Sequence, residues 1–401
     1  MHRVVILFDN FGPYHLARLK AAAGVCDLLA VEFGSSSSEY AWKASESEGF
    51  RRVTLNDDGP SDDLHNKEFQ RRLNRVLDEF KPEAVVVPGW GYRGALFALK
   101  WSLNHDVPVI CMSESTAWDE VRNPIKEWIK YRIITHFMAA LVGGSAHREY
   151  MEKLGMPPDQ ILLGYDAIDN AYFETRTHEV QNSAPKSQAS GFAASQHYFL
   201  ASARFIEKKN LPRLLNAYAV YRSSVMRMTA SQPWPLVIIG DGELRPELEH
   251  LRSELGLEDS VQMPGFKQYK ELPEYYARAG AFIHASTMEQ WGLVVNEAMA
   301  SGLPVLVSKR CGCAADLVQE GGNGWTFDPR NEEEMATLML KVASDEKERL
   351  KMGRKSRQII TEWGPARFAS GLSLAIDAAL SAPKNRAGLL DRLILWAMTQ
   401  I

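Results

Sequence analysis

The chain has 401 residues, of which 45% are hydrophobic and 24% are charged, and its formal net charge is −4 at pH 7. This length exceeds what one ordinary hydrophobic core supports, so two domains are expected in a globular protein. The weak negative charge gives no reason to expect a nucleic-acid partner.

Cysteine usage and hydropathy indicate a cytoplasmic protein. Four cysteines without a framework spacing suggest a reducing compartment. Cys311 and Cys313 have no second Cys or His pair beside them, so no metal site is predicted. No run approaches the roughly 18 apolar residues that span a bilayer. The apolar run over residues 4–8 is too short for a secretory signal.

The first part of the chain alternates between strand and helix patterns. Residues 4–8 are predicted to be a buried parallel strand, and a loop with Gly12 leads into a helix over 16–23. Gly12 alone lacks the Gly-x-Gly-x-x-Gly pattern, which disfavours a nicotinamide dehydrogenase. A strand over 28–33, a polar surface loop over 34–63, a basic amphipathic helix over 64–80 and a strand over 84–87 follow.

Residues 89–93 come directly after a strand, at the edge where open α/β sheets bind ligands. The rings of Trp90 and Tyr92 are candidates to stack on a sugar, and Arg93 to meet an acid or phosphate. A packed loop explains these residues equally well. After the strand over 107–112, the helix pattern over 126–140 combines basic and apolar residues, which suits either anionic lipid or packing on the sheet.

A second alternating region follows a linker-like stretch. Residues 174–197 are rich in Ser, Ala and Gln and show little periodicity. A strand over 198–203 then leads into a loop with Arg204 and Lys209. A further strand ends in a Gly-Asp-Gly turn that begins at Gly240.

The most informative stretch covers residues 286–305. Glu289 lies on a loop and Glu297 lies inside the helix that follows it. Gly292 and the residues around it place free backbone N–H groups at the N-terminus of that helix, where an anion is favoured. Gly302 and Pro304 mark the helix end.

This stretch resembles the donor-site signature of the retaining glycosyltransferases of family 4. The family motif is Glu, seven residues, Glu-Ala, and then Gly-x-Pro-Val, with which Gly292, Ala298, Gly302 and Pro304 are in register. The resemblance implies the α/β GT-B fold, with two Rossmann-like doubly wound domains facing each other across a cleft. The expected parts are an acceptor domain over 1–180, a linker over 181–197, a donor domain over 198–362, and a returning helix with an amphipathic tail over 363–401.

The resemblance also implies a reaction. A hexosyl group moves from a nucleotide-diphosphate sugar to an acceptor hydroxyl with retention of configuration and without a metal or other cofactor. A UDP-sugar is favoured by family frequency alone. Arg204 and Lys209 would neutralise the departing diphosphate, Glu289 would hold the transferred sugar, and Glu297 would hold the ribose. The remaining donor-binding candidates are Gly12, Gly240, Gly265, Phe266, Gln290, Trp291, Gly292, Leu293 and Val294.

Candidates for the acceptor or the donor sugar lie in the first domain: His15, Trp90, Tyr92, Arg93 and Glu114. Many relatives carry a His where this chain has Glu114, so Glu114 either replaces that His or marks a different acceptor. The acceptors considered are sugars, glycolipids and small molecules, in polysaccharide or glycolipid synthesis at the inner face of a membrane. The alternatives are a GT-B epimerase or phosphorylase, and a non-catalytic subunit that binds sugar nucleotides.

Overall fold

The computed structural model describes residues 1–36, 49–183, 197–228, 232–383 and 388–399. The chain divides into unit 1, which comprises Met1–Ile168 and Trp363–Ile401, and unit 2, Asp169–Glu362. Each unit contains one parallel sheet with helices, which confirms the predicted α/β class. All four cysteines are buried free thiols.

The sheet of unit 1 has seven parallel strands in the order β3-β2-β1-β4-β5-β6-β7. The strands are β1 (Arg3–Phe8), β2 (Asp27–Glu32), β3 (Arg51–Thr54), β4 (Ala84–Pro88), β5 (Val109–Ser113), β6 (Ala139–Val142) and β7 (Ile161–Leu163). The helices are α1 (Pro13–Ala22), α2 (Asn66–Phe80), α3 (Arg93–His105), α4 (Pro124–Ile134) and α5 (Ser145–Lys153), with α14 (Pro365–Ser381) and α15 (Leu389–Met398) near the C-terminus.

Alternation along β1 explains why both faces of this sheet are covered. Val4 and Ile6 pack in a cluster that includes residues of α1 and α14, whereas Val5 and Leu7 pack with α2 and α3. Successive side chains of a strand point to opposite faces, so an apolar strand requires helices on both sides. Gly371 lets α14 approach closely, because a Cβ atom there would lie 2.3 Å from the carbonyl oxygen of Leu163.

Two predicted elements of unit 1 need correction. The polar loop predicted over 34–63 contains β3, because Arg52 and Thr54 bond to the buried carboxylate of Glu32 on the neighbouring strand; residues 37–48 lie outside the described part. The helix predicted over 126–140 ends at Ile134, and β6 begins at Ala139. The apolar run that extended the helix pattern is in fact a buried strand.

The sheet of unit 2 has six parallel strands in the order β10-β9-β8-β11-β12-β13. They are β8 (Phe199–Ser202), β9 (Leu236–Ile239), β10 (Val261–Gln262), β11 (Ala281–His284), β12 (Val305–Ser308) and β13 (Gly324–Phe327). The helices are α6 (Asn170–Asn182), α7 (Leu211–Met228), α8 (Arg245–Glu254), α9 (Leu272–Arg278), α10 (Leu293–Ala300), α11 (Ala314–Leu317), α12 (Glu332–Ser344) and α13 (Glu346–Thr361).

The structure around residues 174–197 differs from the linker that their composition predicts. α6 continues through Asn182 and belongs to unit 2, where it packs against α9 and α10. Phe173 of α6 is fully buried and contacts Tyr269 and Tyr276 edge to face, which explains why a weakly periodic sequence is helical here. Residues 184–196 of the predicted linker lie outside the described part of the chain.

Candidate active site

The topology of unit 2 brings two distant loops together. β8 lies between β9 and β11, so the strand order reverses direction at the β8–β11 pair. In open α/β sheets, ligands bind beyond the carboxyl ends of the strands at such a switch point. The loops that follow β8 and β11 carry Lys209 and Glu289, and the backbone N–H of Thr287 donates to the carbonyl of Lys208 at 2.9 Å between them.

Glu289 is the centre of a charged cluster. Its Oε2 atom accepts hydrogen bonds from Lys209, with which it forms an ion pair, from His284 Nε2 at 3.0 Å and from Ser286 Oγ at 3.2 Å. Burial would raise the pKa of Glu289, but the charge of Lys209 and the bond to His284 hold it well below its usual range. These three hydrogen bonds all use Oε2, so among the described residues Oε1 is the oxygen left for a ligand hydroxyl.

His284 was not identified from the sequence. Burial alone would lower its pKa, but hydrogen bonds to Cys311 and Glu289 and their charges raise the pKa of His284 to about 9. The imidazolium is thus a second cation behind the Glu289 carboxylate. The only available sequence signal was a polar residue at the end of a buried strand, which marks a site in open α/β sheets.

The N-terminus of α10 lies next to this cluster. Gly292 precedes the helix with φ +99°, and a Cβ atom there would lie 2.8 Å from Cys311 Sγ and 3.4 Å from Glu289 Cγ. Glycine is therefore required both by the left-handed conformation and by the close approach. The first N–H groups of α10, including those of Leu293 and Val294, belong to the end of a helix that favours an anion.

Neighbouring candidates differ in exposure. Gln290 is exposed, whereas the Trp291 ring is buried and its Nε1–H donates to Asn296 Oδ1 at 3.0 Å. The indole is therefore part of the core and is not available to stack on a ligand. Arg204 is partly buried on the same loop as Lys209.

Glu297 is completely buried. Its Oε2 accepts a hydrogen bond of 2.6 Å from the Tyr276 hydroxyl, and its charge also acts on Tyr269 and Tyr172. Burial and the charge of Glu297 hold the pKa of Tyr276 well above its usual range, so the phenol remains a donor. With the side chain fully buried, the carboxylate has no surface open to a ligand in this structure.

Gly240, which follows β9, and Gly265, which follows β10, have structural roles. Gly240 has φ +130°, and a Cβ atom there would lie 1.8 Å from the carbonyl oxygen of Ala203. Its N–H donates to the carbonyl of Gly265 at 3.1 Å. Phe266 follows with 40% of its surface exposed. These contacts position the Arg204 loop and leave the Phe266 ring accessible.

Asn210 is a second residue that the sequence did not single out. It adopts a left-handed conformation with φ +58°, and its Nδ2 donates to Ala285 O at 3.0 Å and to Pro329 O at 2.7 Å. One amide group thereby joins the loops after β8, β11 and β13. The residue type was the available signal, because Asn is one of the few residues besides glycine that adopt the left-handed conformation.

The predicted site residues of unit 1 differ in their exposure and in their hydrogen-bond partners. The N–H of Gly12 donates to His15 Nδ1 at 3.1 Å, and burial, followed by the charge of Arg18, lowers the pKa of His15 to about 3. Trp90 is buried and Tyr92 is 46% exposed. Arg93 donates to Leu64 O and Asn66 Oδ1, both at 2.9 Å, and lies over the Phe69 ring.

These contacts favour a packing role for Trp90 and Arg93, because their polar or aromatic surfaces are already occupied inside unit 1. Tyr92 remains accessible, and Glu114, which follows β5, is partly exposed. Among the residues that the structure describes, no group of three or more His, Cys, Asp or Glu side chains is arranged to hold a metal ion.

Comparison with protein families identifies the segment that contains the Lys209–Glu289 cluster. Residues 183–359 match the family of glycosyl transferases group 1. This group 1 segment covers most of unit 2. The predicted resemblance is therefore confirmed for glycosyl transferases group 1 in this segment.

Two similar sequences are those of glycosyltransferases. The chain is 35% identical to the sulfoquinovosyl transferase SQD2 of Arabidopsis thaliana over 126 residues, which cover 31% of this chain and 24% of that protein. It is 23% identical to the alpha-D-kanosaminyltransferase of Streptomyces kanamyceticus over 63% of each chain. The alignments thus span less than two thirds of these relatives.

Solved structures resemble nearly the whole chain. HepE of Anabaena, in complex with UDP-glucose, superimposes with a TM-score of 0.71 at 17% identity, over 92% of this chain and 98% of HepE. Sucrose-phosphate synthase of Thermosynechococcus elongatus gives 0.71 at 16% identity, over 93% and 97%. The chain therefore has the GT-B fold, as predicted.

Proposed function

We propose that the protein is a retaining glycosyltransferase of family 4 that moves a hexosyl group from a nucleotide-diphosphate sugar to an acceptor hydroxyl. The observation that carries this proposal is the Lys209–Glu289 ion pair beside the N-terminus of α10. A cation, an ionised carboxylate and free helix N–H groups at one switch point suit a ligand that combines a diphosphate with sugar hydroxyls.

Each part of the cluster has a distinct role in the proposed reaction. The bond between the anomeric carbon and the diphosphate oxygen breaks, and the acceptor oxygen bonds to the same carbon on the same face. The acceptor proton passes to the leaving diphosphate or to solvent. Lys209, Arg204 and the α10 N-terminus stabilise the charge on the diphosphate, which lowers the barrier without a dedicated nucleophile. The Oε1 atom of Glu289 orients the transferred sugar.

The proposed donor is a UDP-sugar. HepE, which shares the fold, is solved with UDP and with UDP-glucose. Gly265 and Phe266 would hold the base largely through backbone groups, and Gln290 and Gly292 would line the diphosphate and sugar. A thermal-shift screen with UDP, GDP and ADP and their sugars tests this choice: UDP compounds are expected to raise the melting temperature most, and a response to none of them contradicts the proposal.

Acceptor-dependent release of the nucleotide tests the reaction class. A transferase releases nucleotide when acceptor is added, whereas an epimerase converts the sugar nucleotide without acceptor and a phosphorylase requires inorganic phosphate. A subunit that only binds donor gives a thermal shift without any product. Nuclear magnetic resonance of the product shows its anomeric configuration. The configuration of the donor sugar is expected to be retained, and an inverted product contradicts family 4 chemistry.

The proposed contact of Glu297 with the ribose has its own test. Glu297→Ala is expected to weaken nucleoside diphosphate binding about tenfold or more, because a charged hydrogen-bond acceptor is lost. Tyr276→Phe keeps the carboxylate but removes the hydrogen bond that covers it, so nucleotide binding should not weaken. Isothermal titration of both variants compares them, and wild-type affinity in Glu297→Ala contradicts the assignment.

We further propose that the protein works at the inner face of a membrane on a glycolipid or polysaccharide acceptor. α4 and α15 are joined by a 2.8 Å hydrogen bond from Arg132 to Asp391 and expose several apolar side chains: Ile125, Trp128, Tyr131, Leu389, Leu390, Leu393 and Trp396. Such a surface suits an interfacial helix pair. No helix of the described residues has the length and hydropathy to cross a bilayer. In a flotation assay with anionic vesicles, the wild-type protein is expected to float with the vesicles. A smaller fraction of the double variant Trp128→Ser, Trp396→Ser should float.

A further inference from the structure

Unit 2 contains two buried thiols that have no part in the proposed reaction. Cys311 and Cys313 lie between β12 and α11, and Gly312 separates them. Their Sγ atoms are 3.4 Å apart, whereas a disulfide bond is about 2.05 Å long, so an approach of about 1.4 Å would allow the two atoms to bond. Gly312 has no side chain that opposes the necessary change in backbone angles.

The hydrogen bonds of the Cys311–Cys313 pair fix the direction of the contact between the two sulfur atoms. The thiol of Cys311 donates to the carbonyl oxygen of Trp291 at 2.8 Å. Since a thiol has one proton, the donor in the contact between the sulfur atoms is Cys313. The Cys311 sulfur therefore keeps a hydrogen-bond donor after it loses its own proton, which favours its thiolate form.

A cation lies close to the Cys311 sulfur. Cys311 Sγ and His284 Nε2 are 2.8 Å and 3.7 Å from the position that a Cβ atom on Gly292 would take, so all three groups meet at one point. Burial would raise the pKa of Cys311, but hydrogen bonds to Cys313 and His284 and the charge of His284 lower it below its usual range. The thiolate is the form of cysteine that reacts with an oxidant.

The other two cysteines provide a comparison within the same chain. Cys26 and Cys111 pack in apolar clusters of unit 1. Burial raises the pKa of both thiols, to about 12 for Cys26. A thiol that stays protonated in apolar surroundings is inert toward an oxidant. Although all four thiols are buried, oxidation is therefore expected first at the Cys311–Cys313 pair.

We propose that the Cys311–Cys313 pair is an oxidation site at which a hydroperoxide forms a reversible disulfide bond. The Cys311 thiolate attacks the terminal oxygen of the hydroperoxide and becomes a sulfenic acid, while the alkoxide or hydroxide leaves and takes up the proton that Cys311 lost. The Cys313 sulfur then attacks the Cys311 sulfur, and the Cys313 proton leaves with the hydroxyl group as water. The two thiols together lose two electrons, which reduce the hydroperoxide. In a reducing compartment such a disulfide is transient.

Oxidation of the pair disturbs the loop that carries Glu289. The N–H of Glu289 donates to Arg310 O, and the N–H of Gly312 donates to Glu289 O, both at 3.1 Å, so the chain on both sides of Cys311 holds Glu289 in place. An oxidised Cys311 sulfur also has no proton for the carbonyl of Trp291. Sugar transfer therefore slows while the pair is oxidised. This consequence rests on the proposed transferase function, whereas the disulfide itself does not.

A count of free thiols in the wild-type protein tests the disulfide without an activity assay. The full chain is treated with hydrogen peroxide, then unfolded and alkylated with iodoacetamide. The number of alkylated cysteines is expected to fall from four to two, because two sulfur atoms have joined. Trypsin cleaves after Arg310 and Arg330, so the peptide over 311–330 contains both cysteines and should weigh two hydrogen atoms less than its reduced form. Dithiothreitol before alkylation should restore all four sites.

Two outcomes of the thiol count overturn the proposal. One is four alkylated cysteines after treatment with peroxide, and the other is a loss confined to Cys26 and Cys111. Neither outcome depends on a variant that folds.

Cys313→Ser separates the two steps of the oxidation. Serine keeps a donor to the Cys311 sulfur but cannot form the disulfide, so oxidation should stop at the sulfenic acid, which dimedone labels. Cys26→Ser, which also replaces a buried thiol, is the matched control and should form the disulfide as the wild-type protein does. Absence of a dimedone label on Cys313→Ser overturns the role of Cys311 as the attacking sulfur.

The effect on transfer is tested by kinetics on the reduced and the oxidised full chain. In the oxidised protein kcat with a UDP-sugar should fall about tenfold or more, because small displacements of positioning residues are costly, and dithiothreitol should restore it. Unchanged kcat in a protein whose pair is oxidised overturns the effect on transfer. If the reduced protein transfers sugar from no donor, the transferase proposal fails, and the thiol count still decides the disulfide.

Discussion

Lys209 and Glu289 lie 80 positions apart in the sequence, yet Lys209 Nζ forms an ion pair with Glu289 Oε2 in unit 2. The pair exists because β8 and β11 are neighbours in the sheet although five helices and strands, α7, β9, α8, β10 and α9, separate them in the chain. A cation and an anion that stabilise each other remain in place before a ligand arrives. Such preorganisation makes the cluster effective toward a developing charge.

Removal of the Lys209 charge is expected to affect turnover more than folding. Lys209→Met keeps the length of the side chain but leaves the leaving diphosphate without this cation, so kcat should fall about 10²–10³-fold. Steady-state kinetics with a UDP-sugar measures the effect. Lys347→Met removes an exposed lysine from the same unit and serves as the control. Similar kcat values in the two variants contradict the proposed role.

Substitution of Gly240 is expected to disrupt the fold of unit 2. In Gly240→Ala the new methyl group meets the Ala203 carbonyl at 1.8 Å in a left-handed backbone, which should reduce the free energy of unfolding by more than about 3 kcal/mol. Gly256→Ala also has a positive φ, of +62°, but nothing lies within 4 Å of its Cβ position, so about 1 kcal/mol is expected. Urea denaturation measures the free energy of unfolding of both variants. Equal decreases would show that the close approach to the Ala203 carbonyl does not contribute to the effect.

Two variants of Asn210 separate its backbone and side-chain roles. Asn210→Gly keeps the left-handed conformation but loses the hydrogen bonds to Ala285 and Pro329, and about 2 kcal/mol of stability should be lost. Asn210→Ala additionally strains the backbone by about 1 kcal/mol. Denaturant unfolding measures both. The KM for the donor should rise in each variant, because the hydrogen bonds that join the three loops are lost. An unchanged KM would show that Asn210 contributes only to stability.

His15 is expected to make the stability of the fold sensitive to acid. Its folded pKa of about 3 lies below that of the unfolded chain, near 6.5, so its contribution is present above pH 6.5 and is lost as the pH falls toward 3. Relative to His15→Asn, the wild-type protein should lose about 1 kcal/mol per pH unit below pH 6. Urea denaturation at several pH values measures this difference, and parallel curves contradict a buried neutral imidazole. Asn keeps an acceptor for the Gly12 N–H, so the helix start is preserved.

Much of the local structure was predictable from residue patterns. The fully apolar runs predicted buried parallel strands, and Gly292, Gly302 and Pro304 predicted the bounds of α10, because these signals act within a few residues. β3 was missed because it pairs with β2 through its backbone and its Arg52 and Thr54 side chains bond to Glu32, so the strand has no apolar pattern. α6 was missed because its stability comes from aromatic contacts with a distant helix.

The sequence alone determined the kinds of groups available to a donor: two glutamates, two cations and a helix start at characteristic spacings. Only the tertiary structure decided how they are connected. It buried Glu297 beneath Tyr276, engaged Arg93 with backbone carbonyls, and placed His284 behind Glu289. The physical reason is that burial and pairing across strand order set the charge and accessibility of a side chain, and neither is encoded in its immediate neighbours.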